Sequence, residues 1–242
     1  MRETPGCAED YEVGGRYGWI REWRNGLIVN AYCLTLIQNM APATVLDGLG
    51  AARRRVMSLD ELQDASGDMW TISGGDHLVV GVTSLASWTL MFEDDGYVGI
   101  TTDLILPLSP RRTIVSHYRN VNALSRFVWI DDGEIATSFE TLFPRVRSGS
   151  RADLLDDDLR QAGFDLSEGA LQPDPTEAAF ALAEQITGVA IMHEMLEGPF
   201  EGGVVTLADG ALLPPELALE ETPGRPRHVL ADFLRRRTDP SQ

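Results

Sequence analysis

Hydrophobic positions fall into short runs separated by glycine, proline and aspartate-glycine pairs, with no sustained helical repeat. Residues 31–38 form an apolar run bounded by Asn30 and Asn39 and read as a buried strand, although periodicity alone does not separate this from a helix. Val45, Leu46 and Leu49 follow Pro42 at helical spacing and stop at the Gly48-Leu49-Gly50 stretch. Ser58 and Glu61 have the spacing of a capping box and open a further short helix. A short helix is also expected at 19–23, ending before Asn25-Gly26.

The strand signal is strongest over about residues 76–140. Runs at 77–83, 88–93, 112–119, 126–131 and 134–139 are β-rich, and Asp95-Gly96 and Asp132-Gly133 supply the positive φ angles of tight hairpin turns. This predicts an antiparallel meander. The segments 88–96 and 126–133 resemble each other, which turn physics accounts for without an internal duplication. Helical patterns follow: Leu154, Leu155 and Leu159 behind a run of aspartates, then Ala179, Phe180, Ala183 and Ile186 between a Thr176 cap and Gly188. A hairpin around Asp209-Gly210 and an amphipathic end at 229–236 complete the chain. The fold class expected is α+β, a central antiparallel sheet flanked by helices. The organisation is a flexible lead-in at 1–16, one domain at 17–200 and a C-terminal extension with a basic end at 201–242.

Charge narrows the partners. Among 242 residues, 37 acidic side chains outnumber 20 basic ones and give a formal charge of −17, which repels nucleic-acid phosphates and anionic lipid. Nucleic acid and membrane are therefore not expected as partners, and the cluster Arg225, Arg227 and Arg235 to Arg237 reads as a solvated end. A 43% hydrophobic content fills a core without disulfide or metal, and Cys7 and Cys33 are expected as free thiols. No apolar run approaches the roughly 20 residues of a membrane span, and residues 1–10 lack the apolar stretch of a secretory signal, so a cytoplasmic location is expected.

Three polar clusters are candidates for chemistry. His117, Arg119, Asn120 and Asn122 lie at a strand end and the connection after it, where histidine as acid or base and arginine as anion clamp suit an enzyme or small-ligand site. The competing reading is an asparagine turn that bonds its own backbone. Glu93, Asp94 and Asp95, with Asp131, Asp132 and Glu134, place like charges at two hairpin tips; they suit a partner's cationic side chains or simply serve as solvated turn residues. His193 and Glu197 have half of a helical zinc motif but lack the second histidine, so neither metal nor cofactor is expected. There is no Gly-x-Ser-x-Gly elbow, phosphate-binding loop, dinucleotide fingerprint or Cys-x-x-Cys pair.

Residues 31–36, 88–96, 118–123, 138–140 and 186–189, within a span from Trp19 to Phe200, resemble an uncharacterised domain family of high-GC actinobacteria designated only as a domain of unknown function. The resemblance implies a bacterial cytosolic protein and no catalytic residues. Together these readings lead to a non-enzymatic acidic domain, immunity-type or regulatory, that engages a basic protein partner. The alternative is an enzyme or ligand module built on His117 to Asn122. Oligomeric state is left open.

Overall fold

The structure, a computed structural model, describes residues 16–26 and 30–207. The expected lead-in up to residue 15, Cys7, the turn at Asp209-Gly210 and the arginine-rich end lie outside the described residues.

Among the described residues nine antiparallel strands form one sheet: β1 (Tyr32–Gln38), β2 (Ala52–Met57), β3 (His77–Leu85), β4 (Trp88–Asp94), β5 (Thr113–Arg119), β6 (Ser125–Asp131), β7 (Glu134–Phe139), β8 (Arg147–Ser148) and β9 (Phe200–Thr206). Their order is β2-β9-β3-β4-β1-β5-β6-β7-β8. The expected α+β class, a single domain around an antiparallel sheet, is the one observed.

The meander is not continuous. Ala86 (φ 51°) turns β3 into β4, and Asp132 (φ 48°) with Gly133 (φ 84°) turns β6 into β7 in the left-handed geometry that a two-residue hairpin requires. Asp95 is also left-handed (φ 52°), but Asp95-Gly96 leads into a crossover rather than a hairpin. The reason is that β1, from much earlier in the chain, pairs with both β4 and β5 and occupies the slot beside β4. The likeness between the two aspartate-glycine segments is therefore local.

The expected boundary at residue 200 is corrected as well. β9 lies between β2 and β3, inside the sheet, and Phe200 is fully buried with its ring 6.4 Å from that of Phe92.

Six of the seven β1 residues are buried, so both sheet faces need cover. On one face Leu34 aligns with Phe92 and His117; on the other Thr35 aligns with Met91 and Ser116. Among the described residues five α-helices supply cover: α1 (Pro42–Gly48), α2 (Leu59–Ser73), α3 (Thr102–Ile105), α4 (Asp156–Ala162) and α5 (Pro175–Thr187). Phe180 of α5 sits over Tyr32 and His117, at 6.1 and 6.2 Å between ring centroids. The turn from Val98 to Ile100 closes on Cys33 and Thr35 from the opposite side.

Helix α2 begins at the capping box expected for it: Ser58 Oγ accepts from Glu61 N, and the Glu61 carboxylate accepts from Ser58 N. It runs 15 residues to a left-handed Gly74, far longer than the short helix expected. Helix α5 ends at Gly188 as expected, but Asp174 and Pro175 mark its start, and Thr176 lies buried inside it. Leu62 of α2 fits over Gly81, which pairs with Gly202 across β3 and β9. A Cβ on Gly81 would collide with Leu62 and lie 3.0 Å from Cβ of Phe200, both fully buried. Gly81→Ala should therefore lower stability by about 1–3 kcal/mol through overpacking, read as a fall in urea midpoint at unchanged m-value.

Candidate functional site

His117 lies within β5, not in the connection after it, and is 3% exposed. Its ring faces the helical layer, where Nδ1 hydrogen-bonds the Tyr32 hydroxyl and Nε2 has no hydrogen-bond partner. Burial, helped by the charge of Arg119, pushes its pKa down to about 3, so the imidazole stays neutral at ordinary pH. Asn120 does something separate: its side-chain oxygen accepts from the backbone N–H of Asn122 and of Leu124, each at 3.0 Å. The segment is thus a self-bonded asparagine turn after a buried histidine. His117 and the Asn120 side chain serve different places, because strand alternation turns His117 into the core while the turn closes on its own backbone.

The two acidic tips also differ from expectation. Glu93 is fully buried on the sheet face opposite His117, and its carboxylate accepts from Val98 N at 2.7 Å and Gly99 N at 2.9 Å. It ties the crossover to β4 and is not available to a partner. Desolvation raises its pKa to about 7 despite these bonds. Asp131 accepts from the Thr113 hydroxyl and pairs with Arg151 at 2.8 Å. Asp132 accepts from Arg111 N at 2.6 Å, while Glu134 stays exposed.

His193 and Glu197 fall on and just after a 3-10 helix (His193–Leu196), whose three-residue turn does not stack positions four apart. Glu197 accepts from Trp23 Nε1 at 3.1 Å and Arg24 at 2.6 Å, and the His193 ring stacks on Trp23. Among the described residues no three His, Cys, Asp or Glu side chains converge as a metal site.

Two depressions flank α2. The first is a groove of about 360 Å³ between α2 and the sheet edge. Arg53 and Arg55 of β2 form one wall, Glu61, Asp64 and Asp68 the other, and Met57, Met69, Val79 and Val204 contribute apolar surface. A bulge in β2, with Arg53 at φ 52°, shapes this wall, while Arg54 points away to Asp47 at 2.8 Å.

The second is a recess of about 160 Å³ lined by Ser66, Gly67 and Trp70 of α2, His77, Leu78 and Val79 of β3, and Asp94 and Asp95. Burial, with the neighbouring charge of Asp95, raises the pKa of Asp94 to about 6 against an opposing hydrogen bond from Gln63. Asp95 keeps much of its side chain in water, yet the recess wall removes enough solvent to push it upward too. Of the six carboxylates expected to meet a partner, Asp94 and Asp95 line the second depression. The α2 side chains escaped the sequence reading, which stopped at the capping box. The spacing of Asp60, Asp64 and Asp68, with the glycine at 67, was the available signal.

The model of a family of unknown function, DUF6461, matches residues 13–209. The chain belongs to this DUF6461 family. Comparison with curated proteins and with solved structures finds no match. The DUF6461 match takes in all nine strands, including β9, which fits the sheet order better than a boundary at residue 200.

Glu93 and His117 give opposite pH dependences. The folded state holds the Glu93 proton more tightly than the ordinary value of 4.5, so that contribution to stability is full below pH 4.5 and lost as pH rises through about 7. His117 is depressed from 6.5 to about 3, so its contribution is full above pH 6.5 and lost as pH falls toward 3. Urea unfolding from pH 4 to 8 should show Glu93→Gln gaining stability with rising pH more steeply than the wild type. The His117→Phe variant should gain it less steeply than the wild type between pH 4 and 6.5. Two variants whose curves run parallel to the wild type would contradict this assignment.

Proposed function

We propose that this protein is a non-enzymatic binding domain, immunity-type or regulatory, whose acidic surface around α2 engages a basic protein partner. The observation that carries the reading is the coincidence of depressions and unpaired charge. Asp64 and Asp68 wall the groove, Asp94 and Asp95 wall the recess, and none of the four forms an ion pair with a described residue. Beside them, Trp70 is 39% and Ile72 79% exposed, an apolar element next to the acidic walls. Such a pairing suits an interface in which aromatic contact supplies energy and charge supplies encounter rate and register. The net charge of −17 adds long-range attraction for a basic surface. The enzyme alternative needs His117, Arg119, Asn120 and Asn122 to act together, and the engagement of His117 and Asn120 in separate structural roles supports the binding reading over it.

Affinity purification from the native host at low and moderate salt should recover a stoichiometric basic protein. Reversing charge with Asp64→Lys and Asp68→Lys should weaken that complex at least about tenfold, or about 1.4 kcal/mol, whereas Glu134→Lys on the distant hairpin leaves it unchanged. Recovery of no stoichiometric partner, or a complex indifferent to the α2 reversal, would sink the reading.

A further inference from the structure

The recess beside Trp70 has the chemistry of a socket for one cationic side chain. Its polar lining is rich in acceptors: the carboxylates of Asp94 and Asp95 accept only, and the Ser66 hydroxyl, which can accept or donate, has no hydrogen-bond partner. His77 Nδ1 lies 2.8 Å from the Asp76 carbonyl, which can only accept, so Nδ1 donates there and its proton is not offered to the recess. A ligand for such a lining brings hydrogens and positive charge. The fourth wall is aromatic, and Trp70 is placed by a second device. Gly75 (φ 103°) would put a Cβ only 3.2 Å from the indole, so its missing side chain lets the ring lie against the turn after α2.

Gly67 is independent of these charges. It sits inside α2, where glycine costs about 0.5–1 kcal/mol relative to alanine. Nothing lies within 4 Å of the place its Cβ would occupy, so no packing contact requires a glycine there. Gly67 lines the recess, so its missing side chain leaves that part of the wall without bulk. A helix that gives up stability at a position with no steric demand is keeping space for something else.

We infer that the recess formed by Ser66, Gly67, Trp70, His77, Asp94 and Asp95 binds the guanidinium group of an arginine presented by the protein partner. This deepens the binding reading above and rests on it. Guanidinium fits on three counts. Its five N–H donors match a lining rich in acceptors, its plane suits stacking on an indole face, and its charge meets two adjacent carboxylates. At about 160 Å³ the recess holds one head group and is below the size of a site for a drug-sized ligand. Protonation of Asp94, whose pKa is about 6, removes part of this attraction, so binding strengthens as pH rises through that range. Asp95, His77, Gln63 and Trp70 are the neighbours that face it.

The test titrates the full chain with N-acetyl-arginine methylamide while the indole N–H signal of Trp70 is followed by NMR. Saturable movement in the millimolar range is expected, weakened at least tenfold by Asp94→Asn and abolished by Gly67→Leu, which adds bulk to the recess wall. The corresponding citrulline amide, isosteric but uncharged, should leave the signal in place, and the lysine amide should bind several-fold more weakly. Gly67→Ala should raise the melting temperature, showing that folding does not need the glycine. Absence of saturable movement, an equal response to citrulline or lysine, unchanged binding in Gly67→Leu, or destabilisation by Gly67→Ala would overturn the assignment. A partner complex that survives Gly67→Leu and Trp70→Ala but is lost on α2 charge reversal would overturn the socket while leaving the broader binding reading intact.

Discussion

A strand that is apolar on both faces must lie under cover on both sides, and β1 is such a strand. Tyr32, Leu34 and Leu36 point one way and Cys33, Thr35 and Ile37 the other, and all are buried. Burying that much apolar surface is the main favourable term available to the fold, at roughly 25 cal/mol per Å² removed from water. It holds only if helices roof one face while α1 and the crossover seal the other. The slot between β4 and β5, the route of the crossover and the seat of α2 over Gly81 follow from this requirement.

The groups that look most reactive in the sequence are largely absorbed by that architecture. Glu93 satisfies two backbone amides of the crossover, which would otherwise be unpaired inside the protein, and burial raises its pKa in return. His117 exchanges a hydrogen bond with Tyr32 beneath Phe180 and stays neutral because its charged form would lie in an apolar layer. Both are polar groups inside a core, retained with partners that hold neighbouring strands and turns in one arrangement.

At the surface, α2 has two duties that pull in different directions. Leu59, Leu62 and Met69 pack on the sheet, whereas Asp64, Gly67, Asp68 and Trp70 face outward beside the groove and recess. Carboxylates one helical turn apart repel each other and a mid-helix glycine loosens the backbone, so this side of the helix is less stable than its sequence could have made it. No packing contact of the fold requires the glycine at 67.

Local chemistry determined a good deal without help from tertiary contacts. The Ser58–Glu61 capping box, the Asp132-Gly133 hairpin, the Gly188 helix stop and the strand character of β1, β4 and β6 depend on residues within a few positions of one another. An antiparallel sheet with helices was legible for the same reason, and so was a strongly acidic surface. The tertiary structure alone decided that β1 splits the meander, that β9 belongs inside the sheet, and that Glu93 and His117 face opposite layers of the core. It also decided that Asp94 and Asp95 meet Trp70 and Gly67 across an otherwise unremarked recess. Strand order and convergence of distant side chains depend on which long-range burial removes the most apolar surface from water, and no short window of sequence contains that comparison.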